Sequence, residues 1–338
     1  MSDIGRGAAV FGCAGPVLLP DEAAFFADFQ PFGFILFARN VEDPDQLRRL
    51  THDLRASVGR NAAVLVDQEG GRVQRLRAPH WQEWTPPLKF VQAAGSKAER
   101  AMELRYRLIA RELTAVGIDA NCAPLGDLIT DDTHPFLQNR CYGSDPAEVS
   151  AIALAVARGL LAEGVLPVAK HIPGHGRTMV DAHFDLPTVT APRSQLLTQD
   201  FAPFRALKDL PMGMTGHLVY TEYDPHHPAT QSALMMNVIR HEIGFRGLLM
   251  TDDLNMNALA GDLATRTSAA ITAGVDLALH CKGDLAEMQA VAKAAGDMSL
   301  VATTRATAAL AARKKSEDVD IAALQAELSG MMAKTDHG

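Results

Sequence analysis

Three histidines, a lysine and an aspartate fall within fourteen residues in the stretch Lys170-His171-Ile172-Pro173-Gly174-His175-Gly176 and the Asp181-Ala182-His183 that follows. Such a set can move protons, bind a metal ion or hold a polyhydroxylated ligand. Pro173, Gly174 and Gly176 forbid a regular helix, because proline lacks the amide donor and glycine is costly to order. The polar groups are therefore read as a loop following the apolar run Val165-Leu166-Pro167-Val168. Loops at the carboxyl ends of strands are where α/β enzymes place their chemistry. His171 and His175 have the i, i+4 spacing of a metal-binding helix. Pro173-Gly174 breaks that helix, however, and an acidic third ligand at a familiar spacing is missing. No metal and no cofactor is expected, with metal-assisted hydrolysis kept as the competing chemistry. Asp181 and His183 are close enough in sequence for the carboxylate to accept a hydrogen bond from the imidazole. That partner would fix the tautomer and raise the imidazole pKa from its usual ~6.5. The alternative is a surface histidine beside a solvated aspartate.

Other strand ends are polar as well. They include Val66-Asp67-Gln68-Glu69-Gly70-Gly71-Arg72-Val73-Gln74-Arg75, Asp127, Asn139-Arg140-Cys141-Tyr142-Gly143, Thr215-Gly216-His217 and Thr251-Asp252-Asp253-Leu254. Strand alternation sends Asp252 and Asp253 to opposite sides, so only one should face the mouth. If it shares the face of Leu248 and Met250, that residue is Asp252. Asp253 is then left to cap a helix starting near Leu254 or to support the loop. Asp67, Arg75, Arg140, Lys170 and His171 would form a pocket rich in donors and acceptors, suited to a sugar. The alternative for each arginine is a structural salt bridge, and for Arg75 the two readings are evenly matched. Gly70-Gly71-Arg72 reads as a tight turn with positive φ.

The elements that must position these groups repeat one pattern: a short apolar run, a polar loop, an amphipathic helix, a glycine. In the helix 97–116, Met102, Tyr106, Ile109, Leu113 and Val116 recur at spacings of four and three, marking one buried stripe. Gly117, Gly164, Gly244 and Gly274 each stand just before an apolar run, as left-handed helix stops do. Candidate strands are 8–13, 33–37, 62–66, 119–123, 165–169, 211–215, 247–251 and 275–280. Eight such units predict a single-domain (β/α)8 TIM barrel over 1–313, with a C-terminal helical extension and tail over 314–338. An open doubly wound sheet is the competitor, but Gly12-Cys13-Ala14-Gly15-Pro16 is a poor phosphate-binding turn.

Composition sets outer limits. The chain has 338 residues, 47% hydrophobic and 21% charged, and a net charge of −8. That balance is globular and argues against a nucleic-acid partner. The start Met1-Ser2-Asp3-Ile4 does not read as a signal peptide, and no run approaches the ~18 apolar residues of a membrane helix. Cys13, Cys122, Cys141 and Cys281 lack CxxC spacing and read as reduced thiols. A cytoplasmic monomer acting on a small molecule, without membrane contact, is expected.

Taken together, four strings resemble glycoside hydrolase family 3, and within it the single-domain bacterial β-N-acetylglucosaminidases of peptidoglycan recycling. They are Gly33-Phe34-Ile35-Leu36-Phe37-Ala38-Arg39-Asn40, Val66 to Arg75, Lys170 to Gly176, and Thr251-Asp252-Asp253-Leu254-Asn255-Met256. The resemblance spans about residues 9–285. It implies a TIM barrel and retaining hydrolysis of a terminal β-linked N-acetylglucosamine, from a muropeptide or disaccharide substrate. It further implies that Asp252 is the nucleophile, that His183 is the proton donor and later the base in a dyad with Asp181, and that Asp67, Arg75, Arg140, Lys170 and His171 hold the sugar. Ala182 departs from the family's usual serine in the dyad loop, and Asn139-Arg140-Cys141-Tyr142-Gly143 varies its Arg-Ser-Phe-Gly. Two further readings compete. A substrate-assisted hexosaminidase needs a carboxylate pair, and no convincing Asp-Glu pair stands at a strand end. A sugar-binding protein without activity would have lost Asp252 or His183, and both are present.

Overall fold

The computed structural model describes residues 4–178, 186–316 and 319–333. Eight parallel strands close into a barrel: β1 (Gly7–Phe11), β2 (Pro31–Leu36), β3 (Ala63–Val66), β4 (Ala120–Asn121), β5 (Leu166–Ile172), β6 (Met212–Thr215), β7 (Leu248–Asp253) and β8 (Leu277–His280). Each strand pairs with its sequence neighbours, and β8 pairs back onto β1 through Ala9–Ala278, Val10–Leu279 and Phe11–His280. The fold is the (β/α)8 barrel that the eight apolar runs predict, and each run overlaps its strand. The runs are apolar throughout because a barrel strand meets side chains inside and helices outside. In β3, Ala63, Val64, Leu65 and Val66 are all fully buried.

Helices form the outer layer. The one spanning Ala98–Thr114 buries Met102, Tyr106, Ile109 and Leu113, the stripe that its spacing predicts. It lies against the helix Pro146–Ala162 at close range. A Cβ added to Gly159 would come within 2.4 Å of the Glu103 carbonyl oxygen, so the two backbones could not approach as they do with any larger residue. On its other side packs the helix Ile321–Met332, through the buried Leu324 and Leu328 and an Arg100–Glu327 ion pair at 2.9 Å. Gly117, Gly164, Gly244 and Gly274 have φ between 79° and 113°, the left-handed stop for which glycine is suited. No helix among the described residues is long and apolar enough to cross a membrane.

Two strands depart from expectation, and both departures shape the site. The predicted strand 119–123 shrinks to Ala120–Asn121, because Pro124 has no amide to donate. The predicted strand 165–169 instead runs on to Ile172, so Lys170 and His171 are strand residues rather than loop residues. Their ladder survives because Val168 N–H donates to the Ala123 carbonyl and Lys170 N–H to that of Pro124, at 2.9 and 3.0 Å.

Candidate active site

A cavity of about 320 Å³ opens at the carboxyl ends of the barrel strands. Asp67, Arg75, Arg140, Lys170, His171 and Asp252 all line it. They arrive from four strand ends, up to 185 residues apart in sequence (67 to 252), and the barrel brings them together. Asp181 and His183 lie outside the described residues. Thr178, the last described residue before them, lines the same cavity.

The polar wall is an ionic chain. After β3, Gln68–Gly70 and Val73–Gln74 form a small hairpin, turned by Gly70 at φ 108° and Gly71 at φ 61°. Gly70 also needs its lack of side chain, since a Cβ there would meet the Arg105 guanidinium at 2.0 Å. The hairpin returns Arg75 to Asp67, whose Oδ2 accepts from Arg75 Nη2 at 3.0 Å while its Oδ1 accepts from Lys170 Nζ at 2.8 Å. Lys170 also pairs with Glu69 Oε1 at 2.6 Å. Glu69 in turn takes a two-point contact from Arg140, at 2.9 and 2.8 Å. Arg75 and Arg140 are salt-bridged and also line the cavity. Burial alone would raise the Asp67 pKa, but Lys170 and Arg75 outweigh it and hold the carboxyl well below the usual range. For Lys170, burial acts to remove the proton, yet Asp67 and Glu69 keep the ammonium charged.

Asp252 stands near the end of β7. Burial would raise its pKa, and nearby His171 and His217, the Asp253 N–H and Lys170 together bring it below the ordinary carboxylate value. It is an anion at neutral pH, with Oδ1 accepting from the Asp253 N–H at 2.8 Å. Strict alternation fails here. A register shift between Met250 and Asp253, where β7 meets β8, lets both aspartates line the cavity. Their environments still differ. Asp253 Oδ1 accepts from the N–H groups of Asn255 and Cys281, both at 3.2 Å, which makes it a loop support, and its pKa is raised by burial. No helix begins near Leu254; the next one spans Leu263–Ala273 and is capped by Asp262.

Among the described residues, His171, His175 and His217 lie near enough to this carboxylate to interact with its charge. His171 Nδ1 lies 2.7 Å from buried Asp127. His217, buried behind the wall, reaches the Asp253 carbonyl through Nε2 at 3.1 Å and Thr230 through Nδ1 at 2.8 Å. His175 packs edge-on against His171, and burial followed by the charge of His171 pushes its pKa down to about 4. Among the described residues no group of three or more His, Cys, Asp or Glu is arranged to hold a metal ion. Sequence reasoning gave Glu69, His175 and His217 no settled role. The signal for Glu69 was present: Asp67-x-Glu69 has the two-residue period that puts both carboxylates on one side of an extended segment.

Fold and cavity together are those of a TIM-barrel enzyme. More particularly, a model of the glycosyl hydrolase family 3 N-terminal domain matches residues 21–311, and the chain belongs to this family of glycosidases. A β-hexosaminidase from Methylococcus capsulatus is 34% identical over 310 residues, covering 90% of this chain and 92% of the relative. The crystal structure of native NagZ from Neisseria gonorrhoeae matches with a TM-score of 0.83 at 29% identity, covering 98% of each chain. The same Neisseria protein in complex with N-trifluoroacetyl-D-glucosamine matches with a TM-score of 0.82 at 28% identity, over 99% of this chain and 98% of that one.

Proposed function

We propose that the chain is a retaining exo-β-N-acetylglucosaminidase that removes terminal β-linked N-acetylglucosamine from peptidoglycan fragments, the aglycone being anhydromuramic acid with or without peptide. One observation carries this reading: a half-buried carboxylate, Asp252, kept anionic in a cavity that is also lined by an ionic chain of sugar hydrogen-bonding groups. At about 320 Å³ the cavity is at the small end of the ~300–1,000 Å³ usual for ligand sites, which suits one terminal monosaccharide rather than a chain interior. The β-hexosaminidase relatives and the glucosamine derivative bound by the Neisseria protein favour an N-acetylated sugar.

The mechanism is a double displacement. Asp252 attacks C1 and expels the aglycone oxygen, which takes a proton from His183; the neutral imidazole then draws a proton from water as the water releases the sugar from Asp252. Retaining enzymes usually set two carboxyl groups ~5–5.5 Å apart. Replacing one by imidazole puts no second carboxylate charge beside Asp252 as the covalent bond forms and breaks; Asp181 offsets part of that benefit. Thr178 stands in the cavity wall, and the five residues from it to His183 span at most ~17 Å of extended chain, enough to bring the imidazole over the cavity. Asp67, Arg75, Arg140, Lys170 and His171 hold the sugar hydroxyls.

The test is a panel of aryl β-glycosides and muropeptide disaccharides, with the anomer formed first followed by proton NMR. Release of β-N-acetylglucosamine as the first anomer, with little activity on the glucoside, is expected. Appearance of the α anomer first, or equal turnover of glucoside and N-acetylglucosaminide, would overturn the reading.

A further inference from the structure

The chemistry-bearing end of β5 is built on its neighbour. Beyond Asn121 the β4 segment is no longer regular strand, yet its ladder with β5 continues, and Gly126 N–H donates to the Lys170 carbonyl at 2.8 Å. That register sets Asp127 beside His171. The Asp127 side chain is fully buried. Its Oδ1 accepts from the His175 N–H at 2.7 Å, and both oxygens lie 3.3 Å from the His171 N–H. Oδ2 lies 2.7 Å from His171 Nδ1. Burial would raise the Asp127 pKa, but His171, His175 and these donors outweigh it, so the group is an anion. An ionised carboxylate only accepts hydrogen bonds. The short contact therefore needs the proton on Nδ1.

We propose that Asp127 is a positioning residue for the glycosidase site, acting through His171: it keeps a proton on Nδ1 and turns Nε2 toward the cavity. The inference rests on the reading of His171 as a sugar-holding group. In the neutral ring Nε2 is then an acceptor for a sugar hydroxyl, and the ring cannot rotate without abandoning a buried anion. A purely structural role, tying the loop through the N–H groups of His171 and His175, would not depend on the tautomer. Asp127→Asn separates the two. Its amide oxygen can still accept from the backbone, but the NH2 group presented to Nδ1 drives the ring proton to Nε2; a wrong tautomer of this kind is costly in a serine-protease triad.

The experiment is nitrogen-15 NMR of histidine-labelled protein, with His171→Gln identifying the His171 signals among the 12 histidines. Alongside it, kcat/KM is measured on an aryl N-acetyl-β-glucosaminide for Asp127→Asn, His171→Gln and the double variant. Protonated Nδ1 is expected in the unaltered protein and bare Nδ1 in Asp127→Asn, with kcat/KM lower by about 10–100-fold, the worth of one hydrogen bond to a charged group. In the His171→Gln background the second substitution should add less than twofold. Bare Nδ1 in the unaltered protein, or losses that multiply in the double variant, would overturn the proposal. If Asp127→Asn does not fold, the spectrum of the unaltered protein decides alone. That spectrum reads Asp127 whether or not the chain cleaves N-acetylglucosaminides, so the two readings fail separately.

Discussion

Replacing Glu69 by glutamine tests the ionic wall at its most buried point. Glu69 is fully buried and joins three contacts: two from Arg140 and one from Lys170, all between 2.6 and 2.9 Å. The substitution keeps the shape and removes one charge. The cluster of Asp67, Glu69, Arg75, Arg140 and Lys170 then goes from a net +1 to +2, and an amide NH2 faces a guanidinium or an ammonium. Removing one partner of a buried ion pair costs about 3–5 kcal/mol, because the other charge stays desolvated. A chain of 338 residues unfolds with an entropy of roughly 0.7 kcal/mol/K, at ~2.1 cal/mol/K per residue. The expected fall in Tm is therefore ~4–7 °C, read by calorimetry at pH 7. Activity should drop at least tenfold in kcat/KM, since Arg140 and Lys170 lose the anchor that aims them. A Tm within 1 °C of the unaltered protein, with kcat/KM within twofold, would refute the reasoning.

Other perturbations follow from the same geometry. A Cβ at Gly176 would stand 1.9 Å from the Leu128 carbonyl oxygen, so Gly176→Ala must push the β5 loop off the Asp127 segment. A loss of about 1–3 kcal/mol in urea unfolding with a sharp loss of kcat is expected, and an unaffected kcat would count against this loop as part of the site. His175 titrates at about 4 when folded, below its ordinary 6.5, so between these values the unfolded chain binds the extra proton. Its contribution is whole above pH 6.5 and fades as pH falls toward 4, a span worth about 3 kcal/mol. His175→Gln should flatten unfolding free energy over that window, and an unchanged slope would contradict the burial argument. With His183 as the acid, His183→Ala should cost far more on sugars with poor leaving groups than on activated aryl glycosides; equal losses would remove it from that role.

Much of this was legible in the amino-acid order. Strands buried on both faces wrote themselves as Ala63-Val64-Leu65-Val66 and Leu248-Leu249-Met250, punctuated by glycines at left-handed helix stops. What escaped did so for physical reasons. Lys170 and His171 read as loop because Pro173, Gly174 and Gly176 follow them so closely, yet the strand runs on to Ile172 before that break. Asp253 was assigned away from the mouth by alternation, which the irregularity after Met250 breaks. Glu69 stood in a polar strand end without a role of its own, since its partner Arg140 lies 71 residues further along and only the closed barrel joins them. Asp127 was placed at a strand end, but its pairing with His171, 44 residues away, was not legible.

The central claim is that the Asp252 carboxylate bonds to the anomeric carbon. It is tested most directly by inactivating the protein with a 5-fluoro glycosyl fluoride of N-acetylglucosamine and locating the label by peptide mass spectrometry. The account predicts one sugar per chain, on Asp252. A label on Asp253, or steady turnover with the label on neither aspartate and no burst of fluoride, would contradict it.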